Sequence, residues 1–125
     1  MNINALVIED NKEVAENLVR MLSLLDVRAK MAFSVREAIL HLAEGIPDIL
    51  FLDIKMPGYD GFEVMTYLRR EPKLEKVPVC IVSSENQQET ISKAMKLGAI
   101  DYVLKPATVE DLEGAIKKAL ASRVK

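Results

Sequence analysis

The stretch Ile49-Leu50-Phe51-Leu52-Asp53 places an acidic residue directly after four large apolar ones. An apolar run of this length predicts a short β-strand, and its lack of apolar–polar alternation indicates burial on both faces. Strands of that kind are typical of parallel sheets that carry helices on both sides. The stretch therefore predicts an α/β protein with Asp53 at the carboxyl end of a buried strand.

Four other segments predict further strands. They are the apolar runs Ala5–Ile8, Val77–Val82 and Tyr102–Leu104, and the more polar Val27–Met31. Helical periodicity follows each strand, and each helix has a start signal. These signals are Asn11, Ser34 with Glu37, Gly61, Asn86 with Glu89, and Thr108. The order is β-strand then α-helix, repeated five times, which with right-handed crossovers predicts a doubly wound parallel sheet of five strands.

Composition excludes several classes of protein. The 125 residues carry a net charge of −2, without the basic footprint of a nucleic-acid binder. The single cysteine, Cys80, allows no internal disulfide, and its apolar surroundings predict a buried, inert thiol. No apolar stretch approaches the roughly 18–20 residues that a membrane span needs. We expect a cytoplasmic protein of one domain, residues 1–125, with no membrane contact and no effector domain.

Polar residues follow four of the five predicted strands. They are Glu9-Asp10, Asp53, Ser83-Ser84 and Lys105-Pro106. In open parallel sheets, ligands bind at the carboxyl ends of the strands, near the point where the strand order reverses. We therefore expect these side chains to converge at one edge of the sheet.

Three carboxylates at one edge require positive charge. Two like charges about 4 Å apart repel by about 4 kcal/mol at an effective dielectric constant near 20. Three such pairs approach the whole stability of a domain, about 5–15 kcal/mol. Lys105 supplies one positive charge, and a divalent cation would supply two more. An all-oxygen set of ligands favours a hard cation such as Mg2+.

Four pieces of the sequence together resemble the receiver domain of two-component response regulators, of the chemotaxis-receiver type. They are Val7-Ile8-Glu9-Asp10, Phe51-Leu52-Asp53-Ile54-Lys55-Met56-Pro57-Gly58, Val82-Ser83-Ser84 and Lys105-Pro106. The likeness covers nearly the whole chain, with the pieces in the same order and at similar spacing. It implies a flavodoxin-like (βα)5 fold with strand order 2-1-3-4-5.

The resemblance also implies a role for each site residue. Asp53 would accept a phosphoryl group from a sensor histidine kinase or a phosphotransfer protein. Mg2+ would be held by Glu9, Asp10 and Asp53, together with the backbone carbonyl of Lys55. Ser83 would hydrogen-bond the phosphoryl group, and Lys105 would pair with its negative charge. The Lys105-Pro106 peptide is a candidate for the cis form.

By the same resemblance, phosphorylation would be read out as a change of shape. Ser83 would move toward the phosphoryl group, and Tyr102 would rotate into the space that Ser83 leaves. The face made by the fourth helix, fifth strand and fifth helix would then signal to an output protein or domain that the sequence does not identify. A phosphorylation-dependent dimer is one form this output can take. The domain would catalyse only its own phosphorylation and dephosphorylation.

Two other functions are open. One is a receiver-like interaction module without phosphorylation, although such a module has no need for the five site residues. The other is a Mg2+-dependent phosphohydrolase of the haloacid-dehalogenase type, which needs a second aspartate where Lys55 stands.

Lys55 is either a solvated loop residue or reaches Glu85 or the phosphoryl group. His41 is interpreted as an exposed helix residue.

Overall fold

Residues 2–122 are described by the computed structural model, and their centre is a parallel sheet. Its strands are β1 (Ile3–Ile8), β2 (Val27–Ala32), β3 (Ile49–Leu52), β4 (Val79–Ser83) and β5 (Asp101–Leu104). They lie in the order β2-β1-β3-β4-β5, and every neighbouring pair is parallel. The doubly wound sheet with strand order 2-1-3-4-5 is confirmed. All four residues of β3 are buried.

Within residues 2–122, five helices alternate with the strands. They are α1 (Lys12–Leu24), α2 (Val35–Glu44), α3 (Gly61–Arg70), α4 (Gln88–Lys96) and α5 (Val109–Ser122). Asn11 Oδ1 caps α1 by accepting the Val14 N–H, and Ser34 Oγ caps α2 by accepting the Glu37 N–H. Thr108 Oγ1 accepts the Asp111 N–H at the start of α5. These three predicted helix starts are confirmed. They were predictable because the capping side chain and the N–H that it accepts lie three positions apart in the sequence.

Three predicted boundaries are wrong. The first strand begins at Ile3 rather than Ala5. The fourth strand begins at Val79 rather than Val77, because Pro78 has no N–H to donate and Val77 donates to the carbonyl of Leu74 in a turn, at 3.1 Å. The fourth helix begins at Gln88, and its N-cap residue Gln87 makes no side-chain capping bond. The predicted pair of Asn86 and Glu89 therefore does not open this helix.

The core lies on both faces of the sheet. Leu50 and Leu52 of β3 point toward α2, α3 and α4, whereas Ile49 and Phe51 point toward α1 and α5. Each large apolar side chain buried in this way contributes roughly 1.5–3 kcal/mol. The helices cover the faces of the sheet, and the carboxyl ends of its strands lead into the loops before the helices. Within residues 2–122, no helix is long and apolar enough to cross a membrane.

Candidate functional site

Three acidic residues meet at the carboxyl ends of β1 and β3. Glu9 and Asp10 follow β1, and Asp53 follows β3, the strand beside it in the sheet. One carboxylate oxygen from each lies within 4.8 Å of the others. Glu9 and Asp53 are nearly inaccessible, with 2% and 6% of their surfaces exposed, whereas Asp10 is exposed. The expected crowding of carboxylates from two strands is present.

The backbone holds two of these carboxylates in place. Glu9 Oε2 accepts the Asn11 N–H at 3.1 Å, and Asp53 Oδ1 accepts the Lys55 N–H at 3.1 Å. Burial raises the pKa of Glu9 against the lowering effect of its hydrogen bonds to Lys105 and Asn11, and the negative charge of Asp53 raises it further. A buried carboxylate beside another resists ionisation unless a cation is close.

Lys105 supplies that cation from the end of β5. Its Nζ lies 2.5 Å from Glu9 Oε1 and 3.3 Å from Asp53 Oδ2. Burial acts to lower the pKa of Lys105, but the hydrogen bond to Glu9 and the charges of Asp53 and Glu9 outweigh it, so the pKa is raised. The Lys105–Pro106 peptide bond is cis.

The loop after β3 forms a short hairpin. Lys55–Met56 pairs antiparallel with Tyr59–Asp60 around a turn at Pro57 and Gly58. Gly61 then begins α3 directly against Ile54, where an added Cβ would lie 2.3 Å from the Ile54 Cα. Only glycine permits that approach of two backbone segments. The hairpin is thereby fixed beside Asp53.

Glu85 links three parts of the site. Its N–H donates to Ser83 Oγ at 3.1 Å, and its carbonyl accepts the Tyr102 hydroxyl at 2.7 Å. Its side chain forms an ion pair with the Lys55 ammonium across the mouth of the site. The ammonium remains on the surface, since 70% of the Lys55 side chain is exposed. The hydrogen bond to Glu85 and the negative charge of its carboxylate raise the pKa of Lys55.

The Lys55 side chain combines the two interpretations, because it is mostly exposed to solvent and also reaches Glu85. The structure also adds Glu85 to the site, although the sequence offered Glu85 only as one partner for Lys55. Tyr102 is half-buried and its hydroxyl is already bonded to the β4–α4 loop. Ser83 is fully buried at the end of β4. No local pattern in the sequence marks Glu85, because its three partners lie on different segments.

The donor set fits a hard divalent cation. Glu9, Asp10 and Asp53 carry three formal negative charges, and Lys105 offsets one of them, which leaves two. Carboxylate oxygens are the ligands that Mg2+ prefers, and a backbone carbonyl such as that of Lys55 is of the same chemical kind. The acidic cluster therefore matches a divalent ion in both charge and ligand type.

Two residues singled out in the sequence lie elsewhere. Cys80 is buried in β4, and burial strongly raises the pKa of its thiol, which fits the predicted inert cysteine. The prediction of an exposed His41 is wrong. Its side chain is half-buried, and its Nδ1 is shielded from solvent without a hydrogen-bond partner in the described part of the chain. The cause is that α2 turns His41 toward β1 and β2, where it lines a pocket.

Comparison with known proteins identifies the family. Residues 5–117 match the response regulator receiver domain, and the chain belongs to this family. Among curated proteins, it is 37% identical to the transcriptional regulatory protein MalR of Bacillus subtilis over 91% of this chain and 48% of that protein. It is 32% identical to the response regulator MprA of Mycobacterium ulcerans over the whole of this chain and 53% of that protein.

Solved structures agree with this assignment. The receiver domain of Francisella response regulator 1452 superimposes with a TM-score of 0.86 at 26% identity, covering 99% of this chain and 100% of the other. A response regulator receiver domain protein from Clostridium thermocellum gives 0.88 at 26% identity, covering 98% and 97%. The chain spans about half the length of the curated relatives it matches. A two-component signalling domain is therefore the class that fold, site and relatives define.

Proposed function

We propose that Asp53 accepts a phosphoryl group from a phosphohistidine of a sensor kinase or phosphotransfer protein, and that the resulting charge switches the domain. One observation carries the proposal. The Asp53 carboxylate lies at the end of a central strand, within 4.8 Å of two other carboxylates and 3.3 Å from the Lys105 ammonium. A structural carboxylate has no need for such surroundings.

The chemistry requires little from the protein beyond position and charge. An oxygen of Asp53 forms a bond to phosphorus as the bond from phosphorus to the imidazole nitrogen breaks, and that nitrogen keeps the electron pair. A carboxylate does this without a general base because it already carries negative charge. Lys105 is in place to stabilise negative charge on the transferred oxygens.

Mg2+ would be held by Glu9, Asp10, Asp53 and the Lys55 carbonyl. When bound, it would neutralise charge on the phosphoryl oxygens and so reduce the repulsion between the phosphoryl group and the carboxylates. The position where such a phosphohydrolase carries its second aspartate holds Lys55, whose ammonium is paired with Glu85, so it offers no carboxylate to act as the acid/base. This arrangement favours a phosphoacceptor over an enzyme that turns over a separate substrate.

The decisive experiment measures phosphorylation by acetyl phosphate, with intact-protein mass as the readout. The wild type should gain one phosphoryl group only when Mg2+ is present, and Asp53→Asn should gain none. Asp60→Asn is the matched control, because Asp60 caps α3 and asparagine caps equally well. Metal-dependent labelling of Asp53→Asn equal to that of the wild type would exclude Asp53 as the acceptor.

The switch would act through Glu85. A phosphoryl group adds about −1.5 to −2 charges at neutral pH. Hydrogen bonds to it from Ser83 and Lys105 would contribute about 1.5–3 kcal/mol each. A shift of a two-state equilibrium from 1:99 to 99:1 needs about 5.5 kcal/mol, so two such hydrogen bonds formed only in the phosphorylated state would be about sufficient. Movement of Ser83 changes its bond to the Glu85 N–H, and Tyr102 follows because it is bonded to the Glu85 carbonyl.

A comparison of two Tyr102 variants tests this route. Tyr102→Phe removes the bond to Glu85 and keeps the ring, whereas Tyr102→Ala removes both. Beryllofluoride, a phosphoryl mimic, should shift the α4 amide resonances of the wild type strongly, those of Tyr102→Phe less, and those of Tyr102→Ala least. Equal shifts in all three proteins would show that Tyr102 takes no part.

The partner surface would be the face formed by α4, β5 and α5. Met95 of α4 and Leu104 of β5 are large apolar residues exposed there. The curated relatives named above are a transcriptional regulatory protein and a response regulator, and both extend well beyond the matched region. We therefore propose that this face signals to an output domain or protein, or pairs with a second copy after phosphorylation. The net charge of −2 gives no reason to assign nucleic-acid binding to the receiver itself.

A further inference from the structure

A second pocket lies at the other end of the sheet from the acidic site. It has a volume of about 400 Å³, within the roughly 300–1,000 Å³ range of small-molecule sites. Its lining includes Arg28 and Lys30 of β2. In the strand register Arg28 is beside Asn4 and Lys30 beside Leu6, near the start of β1, whereas the acidic site follows the end of β1. The pocket is thus separate from Asp53.

The positive charges in this pocket have no ion-pair partner among the residues that the structure describes. Arg28 and Lys30 form no ion pair and no side-chain hydrogen bond within residues 2–122. They alternate along β2, so both side chains project on the face of the sheet that α2 covers only in part. Among the described residues that line the pocket, Glu44 of α2 is the only carboxylate, and the two cations leave a net positive charge.

Most of the remaining lining is apolar, and its polar side chains are those of Asn4 and His41. Leu6 is buried beneath the pocket, and Ile46 is 53% exposed at its rim. His41 enters from α2, and its Nδ1 is shielded from solvent without a hydrogen bond in the described residues. An atom that solvent cannot reach is closed to a ligand as well, so the groups of this pocket that can recognise a ligand are the two cations and the apolar side chains.

We propose that this pocket binds a small organic anion, with its carboxylate or phosphate on Arg28 and Lys30 and its apolar body against Leu6 and Ile46. Arginine and lysine both suit these anionic groups, and arginine binds them through two parallel hydrogen bonds. None of the lining residues belongs to the acidic cluster. The competing explanation is that Arg28 and Lys30 only protect β2, an edge strand, from pairing with other chains.

Titration of the full 15N-labelled chain with benzoate and phenyl phosphate tests the site by NMR. Both probes should shift the amide resonances of Arg28, Lys30 and Ile46 saturably, and the tighter of the two identifies the preferred anionic group. Benzyl alcohol and benzylamine have a similar body without the negative charge, and inorganic phosphate has the charge without the body. These three should produce no saturable shift.

The variant Arg28→Ala/Lys30→Ala should weaken binding at least tenfold. The matched control is Arg36→Ala/Arg70→Ala, which removes two exposed cations outside the pocket and should bind as the wild type does. A second variant, Arg28→Gln/Lys30→Gln, keeps side-chain length and should also lose binding. Asp53→Asn should bind both probes normally, which separates this site from the phosphoacceptor.

Two results would overturn the proposal. One is the absence of any saturable shift with either anionic probe, which would leave edge protection as the role of Arg28 and Lys30. The other is binding that the double variants do not weaken, or that Asp53→Asn abolishes, which would place the probes at the acidic site instead.

Discussion

The two ends of α4 are held very differently. At the carboxyl end, the Arg69 guanidinium donates to four backbone carbonyls, those of Glu75, Val77, Leu97 and Gly98, at 2.9–3.3 Å. At the amino end, Gln87 makes no side-chain capping bond. The loosely held end is the one beside Ser83 and Glu85. The helix is therefore anchored far from the site and least constrained where phosphorylation would act on it.

The largest change in stability should come from removing the Arg69 guanidinium. Arg69→Met should lower the free energy of unfolding by about 2–4 kcal/mol, because four carbonyls lose a charged donor in a partly buried place. Urea denaturation measures this change. Arg70→Met is the control, since Arg70 is exposed and should change stability by less than about 0.5 kcal/mol. Equal losses in the two variants would mean that Arg69 does not anchor α4.

A smaller loss should follow from substitution at Gly98. This residue has φ +95°, and an added Cβ would lie 3.0 Å from Arg69 Nε. Gly98→Ala should cost about 1–2 kcal/mol, from backbone strain and displacement of the guanidinium. Gly45→Ala is the control, because Gly45 is extended and has open space around it. A Gly98→Ala protein as stable as the wild type would contradict the close contact with Arg69.

Adding a capping side chain at the amino end of α4 should reduce the difference between its two ends. Gln87→Ser offers a hydroxyl to the first turn of α4 and should stabilise the protein by about 0.5–1 kcal/mol. Hydrogen exchange of the first α4 amides should slow. Gln87→Ala offers no such oxygen and should not stabilise. If serine and alanine behave alike, the amino end of α4 is already fully satisfied by its backbone.

The substitution expected to change the stability of the fold least is at Lys55, but it should change the lifetime of the phosphoryl group. Its ammonium is mostly exposed and pairs with Glu85 next to the proposed phosphoryl site. Lys55→Ala should leave the fold intact and shorten the lifetime of phosphorylated Asp53 a few-fold, because water gains access. Loss of the phosphoryl group over time, followed by intact mass, measures this. Lys73→Ala, a distant exposed cation, should hydrolyse at the wild-type rate.

Much of the fold could be predicted because its signals are local. The buried strand ending at Asp53 is visible in its apolar residues, and the starts of α1, α2 and α5 depend on side chains that bond three positions along the chain. The start of α4 was also predicted from a local capping signal, and that prediction is wrong. Asn86 and Glu89 have the right spacing for a cap, but the path of the β4–α4 loop places the first turn one residue later than they require.

The sequence by itself determined the alternation of strands and helices, and hence which polar residues stand at the strand ends. This is so because burial and capping act between residues close together in the chain. Only the tertiary structure decided that Lys55 pairs with Glu85, that His41 turns into a pocket, and that Arg69 binds carbonyls up to 29 residues away. Those contacts join segments that are brought together only by the packing of the whole sheet. The sequence does not show whether a charged side chain will be solvated or will bind a carbonyl.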